Sequence, residues 1–158
     1  MATSVSHELV RAFFEARVSY DPVKIGAFMD DDIEWSMSGP VDILRYAGYR
    51  RGREAVLHGL VERGPAIFKP TDIIVDDIVV EGDKAITRTR VIGVQRTTGR
   101  TISYQCAQLM RFREGKLVQF RCIIDSFDAA EQMLGHEIDV SDTPAPVSAG
   151  PAIKTPAF

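Results

Sequence analysis

Arg100-Thr101-Ile102-Ser103-Tyr104-Gln105-Cys106-Ala107-Gln108-Leu109-Met110-Arg111-Phe112-Arg113-Glu114-Gly115-Lys116-Leu117-Val118-Gln119-Phe120-Arg121-Cys122-Ile123-Ile124-Asp125 is two β-rich runs joined by one Glu-Gly turn. A short Gly-containing connection between such runs predicts an antiparallel hairpin. The same punctuation recurs upstream. Residues 71–80 close on Glu81-Gly82-Asp83, and residues 84–96 close on Thr97-Thr98-Gly99. Four consecutive antiparallel strands are therefore expected, over 71–80, 84–96, 100–113 and 116–124. Strands of this length twist, so the sheet should be curved.

Ahead of the strands the period changes. Leu9, Val10, Phe13, Phe14, Arg17 and Val18 recur at helical spacing, which predicts an amphipathic helix over 5–19. Asp21-Pro22 is a helix-start signal, since Asp accepts from free amides and Pro needs none of its own. A second helix over 22–29 follows, ended by Asp30-Asp31-Asp32, read as a solvated turn because the three lack calcium-loop spacing. Residues 33–37 alternate like a short strand. Ser38-Gly39-Pro40 breaks it, 41–51 resists assignment, and 53–63 is helical again. Ser126 is a candidate cap for a last helix over 127–134.

The order helix, helix, strand, helix, then four strands is α+β, with helices gathered on one face of the sheet. A curved antiparallel sheet wrapped around its N-terminal helices makes a cone with an internal cavity, a natural place for a small molecule. Residues 1–138 form the expected domain. From residue 139 the composition shifts, with Pro144, Pro146, Pro151 and Pro156 among the chain's 8 prolines. Such a segment builds no core of its own and is expected to be an extended or mobile tail.

Composition narrows the function classes. The 158 residues are 45% hydrophobic and 26% charged, with a net charge of -3. There is no basic run to hold nucleic acid and no apolar stretch of bilayer length. The first residues lack a basic start and apolar core, so no secretory signal is expected and a cytoplasmic setting is. Cys106 and Cys122 have no metal-ligand spacing, and His7, His58 and His136 are scattered. No metal or organic cofactor is expected. Alternating apolar and charged residues on the long strands predict a homodimer through the outer face of the sheet.

Several short blocks together resemble a known family. They are Asp21-Pro22, Phe28-Met29-Asp30-Asp31-Asp32-Ile33-Glu34-Trp35, Tyr49-Arg50-Arg51-Gly52-Arg53-Glu54-Ala55-Val56, Glu81-Gly82-Asp83-Lys84, Thr98-Gly99-Arg100, and Arg111-Phe112-Arg113-Glu114-Gly115-Lys116-Leu117 with Asp125-Ser126. In order and spacing they resemble the ketosteroid-isomerase-like, or nuclear-transport-factor-2-like, superfamily, and within it the SnoaL-like polyketide cyclase group. The resemblance runs from about residue 5 to 135. It implies the cone fold and a small hydrophobic ligand. It carries the isomerase chemistry over poorly. The acid-base carboxylate falls at Ser36, the oxyanion tyrosine at Phe13 and a protonated aspartate at Gln108. Against limonene-epoxide-hydrolase-like members, Asp125 matches the last-strand aspartate, while the other two positions fall at Cys106 and Gln108. The SnoaL-like cyclases place an acid-base aspartate near the cavity, and Asp125 is its counterpart here.

Each candidate has two readings. Asp125, held among Ile123 and Trp35, would have a raised pKa suited to moving a proton beside a carbonyl. It is equally a helix cap with Ser126, or a partner for Arg121. Gln108 shares a strand face with Cys106 and could hold a carbonyl oxygen, or be a buried, satisfied amide. Trp35 could form the apolar wall of a ligand site or anchor the core. Tyr46 and Tyr49 sit in the irregular segment that could close a pocket. Tyr20 and His58 are further cavity candidates, against plain packing. Arg50, Arg51 and Arg53 read as a solvated cluster. Two functions follow. One is a cofactor-independent isomerase or cyclase acting on a hydrophobic carbonyl compound, with Asp125 and Gln108 as catalytic groups. The other is a non-catalytic ligand-binding or assembly domain.

Overall fold

The computed structural model describes residues 4–141. Helix α1 (His7–Ser19) starts at Ser6, whose hydroxyl accepts from the Leu9 amide at 3.1 Å. Helix α2 (Pro22–Gly26) starts at Asp21, whose carboxylate takes the amides of Val23 and Lys24 at 2.9 and 3.2 Å. Strand β1 (Met29–Met37) and the short β2 (Gly48–Arg51) follow, then α3 (Arg53–His58), which runs on as a π-helical turn over Gly59–Arg63. The long strands are β3 (Phe68–Glu81), β4 (Lys84–Gln95), β5 (Thr101–Arg113) and β6 (Lys116–Ile124), and α4 (Ser126–Leu134) closes the order. Among the described residues no helix is long and apolar enough to cross a membrane.

One six-stranded sheet runs β2-β1-β6-β5-β4-β3. The three expected hairpins are present, and β1 docks parallel to β6. Register shifts between Pro70 and Asp72, Val75 and Asp77, and Arg111 and Phe112 bend the long strands, as β-bulges do. Pro70 is tolerated because β3 is an edge strand. Helices and the concave sheet face share one core, and the sheet does not close, so the architecture is an α+β cone.

Alternation decides what faces inward. Ile102, Tyr104, Cys106, Gln108, Met110 and Phe112 of β5 are buried, and the residues between them are not. On β4 the inward set is Ala85, Thr87, Thr89, Val91 and Gly93. Gly93 is there because Phe68 lies on its backbone. A Cβ would come within 2.6 Å of the Lys69 carbonyl oxygen and of the Phe68 ring. That approach lets Phe68 reach Tyr46 and Tyr104, with ring centroids 5.5 and 5.6 Å away.

The N-terminal half differs from the sequence expectation in one place. The second helix stops at Gly26, and Asp30-Asp31-Asp32 lies inside β1 instead of forming a turn. The reason is non-local. Met29 pairs with Leu117, and the Leu117 amide donates to Phe28 O at 2.7 Å, so β6 draws this segment into the sheet. The carboxylates then meet basic partners: Asp30 pairs with Arg113 at 2.9 Å and Asp31 with Arg53. The expected tail over 139–158 lies, from residue 142 on, outside the described residues.

Candidate functional site

The concave face and helix α1 enclose a cavity of about 90 Å³. Its walls are mostly apolar and aromatic, with Phe14, Trp35, Leu60, Phe68, Val91 and Phe120 among them. Trp35 and Phe120 stack face to face, with centroids 3.8 Å apart and planes 8° from parallel. Polar atoms come from Arg17, Tyr46, Arg50, Tyr104, Cys106, Gln108 and Cys122. No carboxylate or imidazole lines it among the described residues.

Arg17 is the unusual member. It falls on the apolar stripe of α1, one turn beyond Phe13 and Phe14, so its side chain points inward with theirs. Its Nη1 is buried and has no hydrogen-bond partner among the described residues. The guanidinium carbon sits 5.9 Å from the centre of the Trp35 ring, a cation–π contact that offsets part of the burial. Desolvation lowers its pKa from the usual arginine value.

Tyr46 supplies the second orphan. Its hydroxyl is buried and makes no hydrogen bond of ordinary geometry among the described residues, the Tyr104 phenol being its polar neighbour. Burial pushes its pKa up to about 12. Burial first, and then the neighbouring Tyr46, raises the Tyr104 phenol well above its usual range. Both phenols stay protonated at neutral pH and can donate to an oxygen placed in the cavity. Arg50 reaches the cavity because of the π-helical turn. Gly59 sits under its side chain, and a Cβ there would lie 2.6 Å from Arg50 Nε. The Gly64 amide closes the turn onto Gly59 O at 2.8 Å. One-turn π segments of this kind are frequent at functional sites. Arg50 Nη1 donates to Tyr46 O at 3.3 Å.

Gln108 is committed elsewhere. Its Oε1 accepts from Thr87 Oγ1 at 2.6 Å, and its Nε2 donates to Thr89 Oγ1 at 2.7 Å and points at Cys122 Sγ, 3.9 Å away. The amide is thus a satisfied part of the inner face. Cys106 and Cys122 are buried free thiols. Interaction with Cys122 and burial push the Cys106 pKa up, which disfavours its thiolate. These two soft donors have no third metal ligand beside them among the described residues.

The structure brings Trp35, Tyr46, Gln108 and Cys106 together at the cavity and leaves Asp125, Ile123, Tyr49, His58 and Tyr20 out of its lining. Asp125 is exposed. It is the N-cap of α4, accepting from the Asp128 amide at 3.3 Å, so the cap is Asp125 and not Ser126. Ile123 is on the outer face, 43% exposed. Tyr49, on β2 opposite Ser36, is 61% exposed. His58 is exposed and lies 3.2 Å from Glu62. Tyr20 is half-buried at the end of α1, where its hydroxyl donates to Pro70 O. Arg50 departs the other way, lining the cavity instead of joining a solvated cluster. Sequence reasoning passed over Arg17 and Tyr104. The available signals were a charge on an apolar helical stripe and the inward phase of β5.

Residues 10–120 match the family model described as a SnoaL-like domain. The chain belongs to the SnoaL-like domain family. Its fold relatives among solved structures agree. A Rhodopseudomonas palustris protein provisionally named an isomerase is 27% identical, with a TM-score of 0.72 over 84% of this chain and 99% of that one. A nuclear-transport-factor-2-like protein of Burkholderia thailandensis is 23% identical, with a TM-score of 0.69 over 80% of this chain and 95% of the other. A Catenulispora acidiphila protein with a ketosteroid isomerase-like fold, in complex with trimethylamine, is 16% identical, with a TM-score of 0.69 over 84% and 95%. No curated protein sequence matches the chain. The SnoaL-like core thus spans α1 to β6 and contains nearly all of the cavity wall.

Proposed function

We propose that this SnoaL-like protein binds a small hydrophobic, carbonyl-bearing molecule in its cone cavity. The observation that carries the reading is the pair of buried polar atoms, Arg17 Nη1 and Tyr46 Oη, that find no hydrogen bond of ordinary geometry among the described residues, in a mostly apolar and aromatic chamber. An unsatisfied buried donor costs about 1–3 kcal/mol. A ligand oxygen would recover that, while the aromatic walls take up the ligand's apolar part.

Between binding and turnover, the geometry favours binding. Proton transfer beside a carbonyl needs a group that both gives and takes a proton near neutral pH. The cavity offers two phenols and the Cys106 thiol with raised pKa values, and Asp125 caps a helix outside it. The isomerase reading draws on one observation, the name given to the 27% identical R. palustris relative. One experiment addresses both. Small cyclic ketones are titrated while the emission of Trp35, the only tryptophan, is followed, and the same mixtures are kept in deuterium oxide for proton NMR. Saturable change without α-proton exchange supports the binding reading. Catalysed exchange supports the isomerase. No response of Trp35 to any ketone contradicts the proposal.

A homodimer through the outer sheet face belongs to the same proposal. Val79, Ile86, Leu109 and Ile123 are 40–62% exposed there. Sedimentation showing a monomer at micromolar concentration would contradict it.

A further inference from the structure

Outside the cavity the arginines are either paired or open to water, as the exposed Arg90 and Arg121 are. Arg53, Arg88, Arg111 and Arg113 each meet a carboxylate, and all four lie outside the cavity. Arg17 and Arg50 line the cavity, and neither has a carboxylate within ion-pair distance among the described residues. Among the described residues no acidic side chain lines the chamber to balance them. The sequence holds 22 Asp and Glu against 19 Lys and Arg, so the imbalance is local and not a shortage of acids.

A buried cation without a counter-charge is expensive. Desolvation costs several kcal/mol per ion, and only a paired geometry recovers it. The chain lessens the burden with the Trp35 ring but leaves Nη1 bare. A neutral ketone would satisfy a hydrogen bond there. It would leave the charge uncompensated.

We infer that the natural ligand is a small hydrophobic monoanion, a carboxylate or a comparably charged enolate. Its charged oxygen meets Arg17 Nη1 and Tyr46 Oη, and its apolar part lies against Trp35, Phe120 and Phe68. Arg50, at the π-helical turn, adds positive potential without direct pairing. Its guanidinium is already turned to the Tyr46 carbonyl. The cavity volume of about 90 Å³ limits the ligand to a few carbons beyond the charged group. For scale, a dry cavity of about 150 Å³ accepts benzene. This inference rests on the binding reading above and sharpens it by assigning the charge.

The test uses the full chain and matched pairs small enough for that volume: propionate and propionamide, isobutyrate and isobutyramide, isovalerate and isovaleramide. Each pair shares its shape and carbonyl and differs in charge. Affinities are read by calorimetry at neutral pH for the wild type, for Arg17→Met and for Arg88→Met as an outer-face control. The expected result is that at least one acid binds roughly tenfold or more tighter than its amide, the range a charge-assisted hydrogen bond spans. Arg17→Met should abolish that preference while amide binding persists, and Arg88→Met should keep it. Amides binding as well as their acids would overturn the anion inference and leave the binding reading intact. Binding by neither kind would overturn both. A preference surviving in Arg17→Met would show that the charge is read elsewhere, and would overturn the role given to Arg17. Circular dichroism of Arg17→Met separates lost binding from lost folding. Should that variant not fold, Tyr46→Phe serves instead, with a weakened acid preference expected and an unchanged one counting against the geometry.

Discussion

The two faces of the sheet treat arginine in opposite ways. On the convex face Arg88 sits against Asp76 and Asp77, and Arg111 against Asp83, all in contact with water. On the concave side Arg17 is turned inward beside Trp35, with its Nη1 bare. The convex pairs are local and solvent-screened, so they contribute little to stability. Arg17 is half-buried with its Nη1 out of reach of water, so it is screened less, and the unpaired donor costs the fold. A residue that weakens the fold where an apolar one would fit is a candidate for function. A residue whose charge is neutralised at the surface is not. The comparison also separates Gln108 from Arg17. Both are polar and inward, yet Gln108 is held by Thr87 and Thr89.

Gln108→Ala should destabilise by about 3 kcal/mol, since it opens a void and strands two buried threonine hydroxyls. Urea unfolding checks this. The triple change Thr87→Val, Thr89→Val, Gln108→Leu should recover most of the loss, because no buried polar group is left unpaired. A triple variant as weak as the single one would mean the network does more than satisfy itself.

Tyr46 gives a pH signature of the concave side. Its folded pKa is raised to about 12 by burial, and an unfolded tyrosine titrates near 10. Between those values the unfolded state releases the proton first, so stability must fall as pH rises through that window. The expected loss is on the order of 2 kcal/mol. It should be smaller in Tyr46→Phe, which has no such proton. An identical alkaline profile for both proteins would place the Tyr46 phenol in water.

The smallest effect belongs to Asp125. Asp125→Ala should cost about 1 kcal/mol through the lost cap. It should fray α4 in hydrogen exchange and leave ligand affinity unchanged. A fall in affinity with α4 intact would return Asp125 to the cavity account.

Most of the fold was legible because its signals are local. Gly-containing turns mark the hairpins, and the two-residue alternation of β4 and β5 places their inward faces directly. The start of β1 was not legible, since Asp30-Asp31-Asp32 has turn chemistry and becomes strand only by pairing with β6, far along the chain. Asp125 was misleading for a related reason. A carboxylate between a strand and a helix serves either side, and the free amides of α4 claimed it. Arg17 was visible as a charge on an apolar stripe, but only the cavity distinguishes such a charge from one whose stem lies along the surface with its head in water. Tyr104 follows from the phase of β5, while Tyr46 needed the irregular segment before β2 to be placed.

The most direct test of the central claim is the unfolding free energy of Arg17→Met against wild type, without ligand, by urea denaturation at neutral pH. A cation kept for a ligand has no protein partner to lose, so an apolar side chain of similar length should stabilise the empty protein by about 1 kcal/mol. A loss of about 3 kcal/mol or more is what removing one member of a buried pair produces. That result would make Arg17 a structural ion and contradict the account.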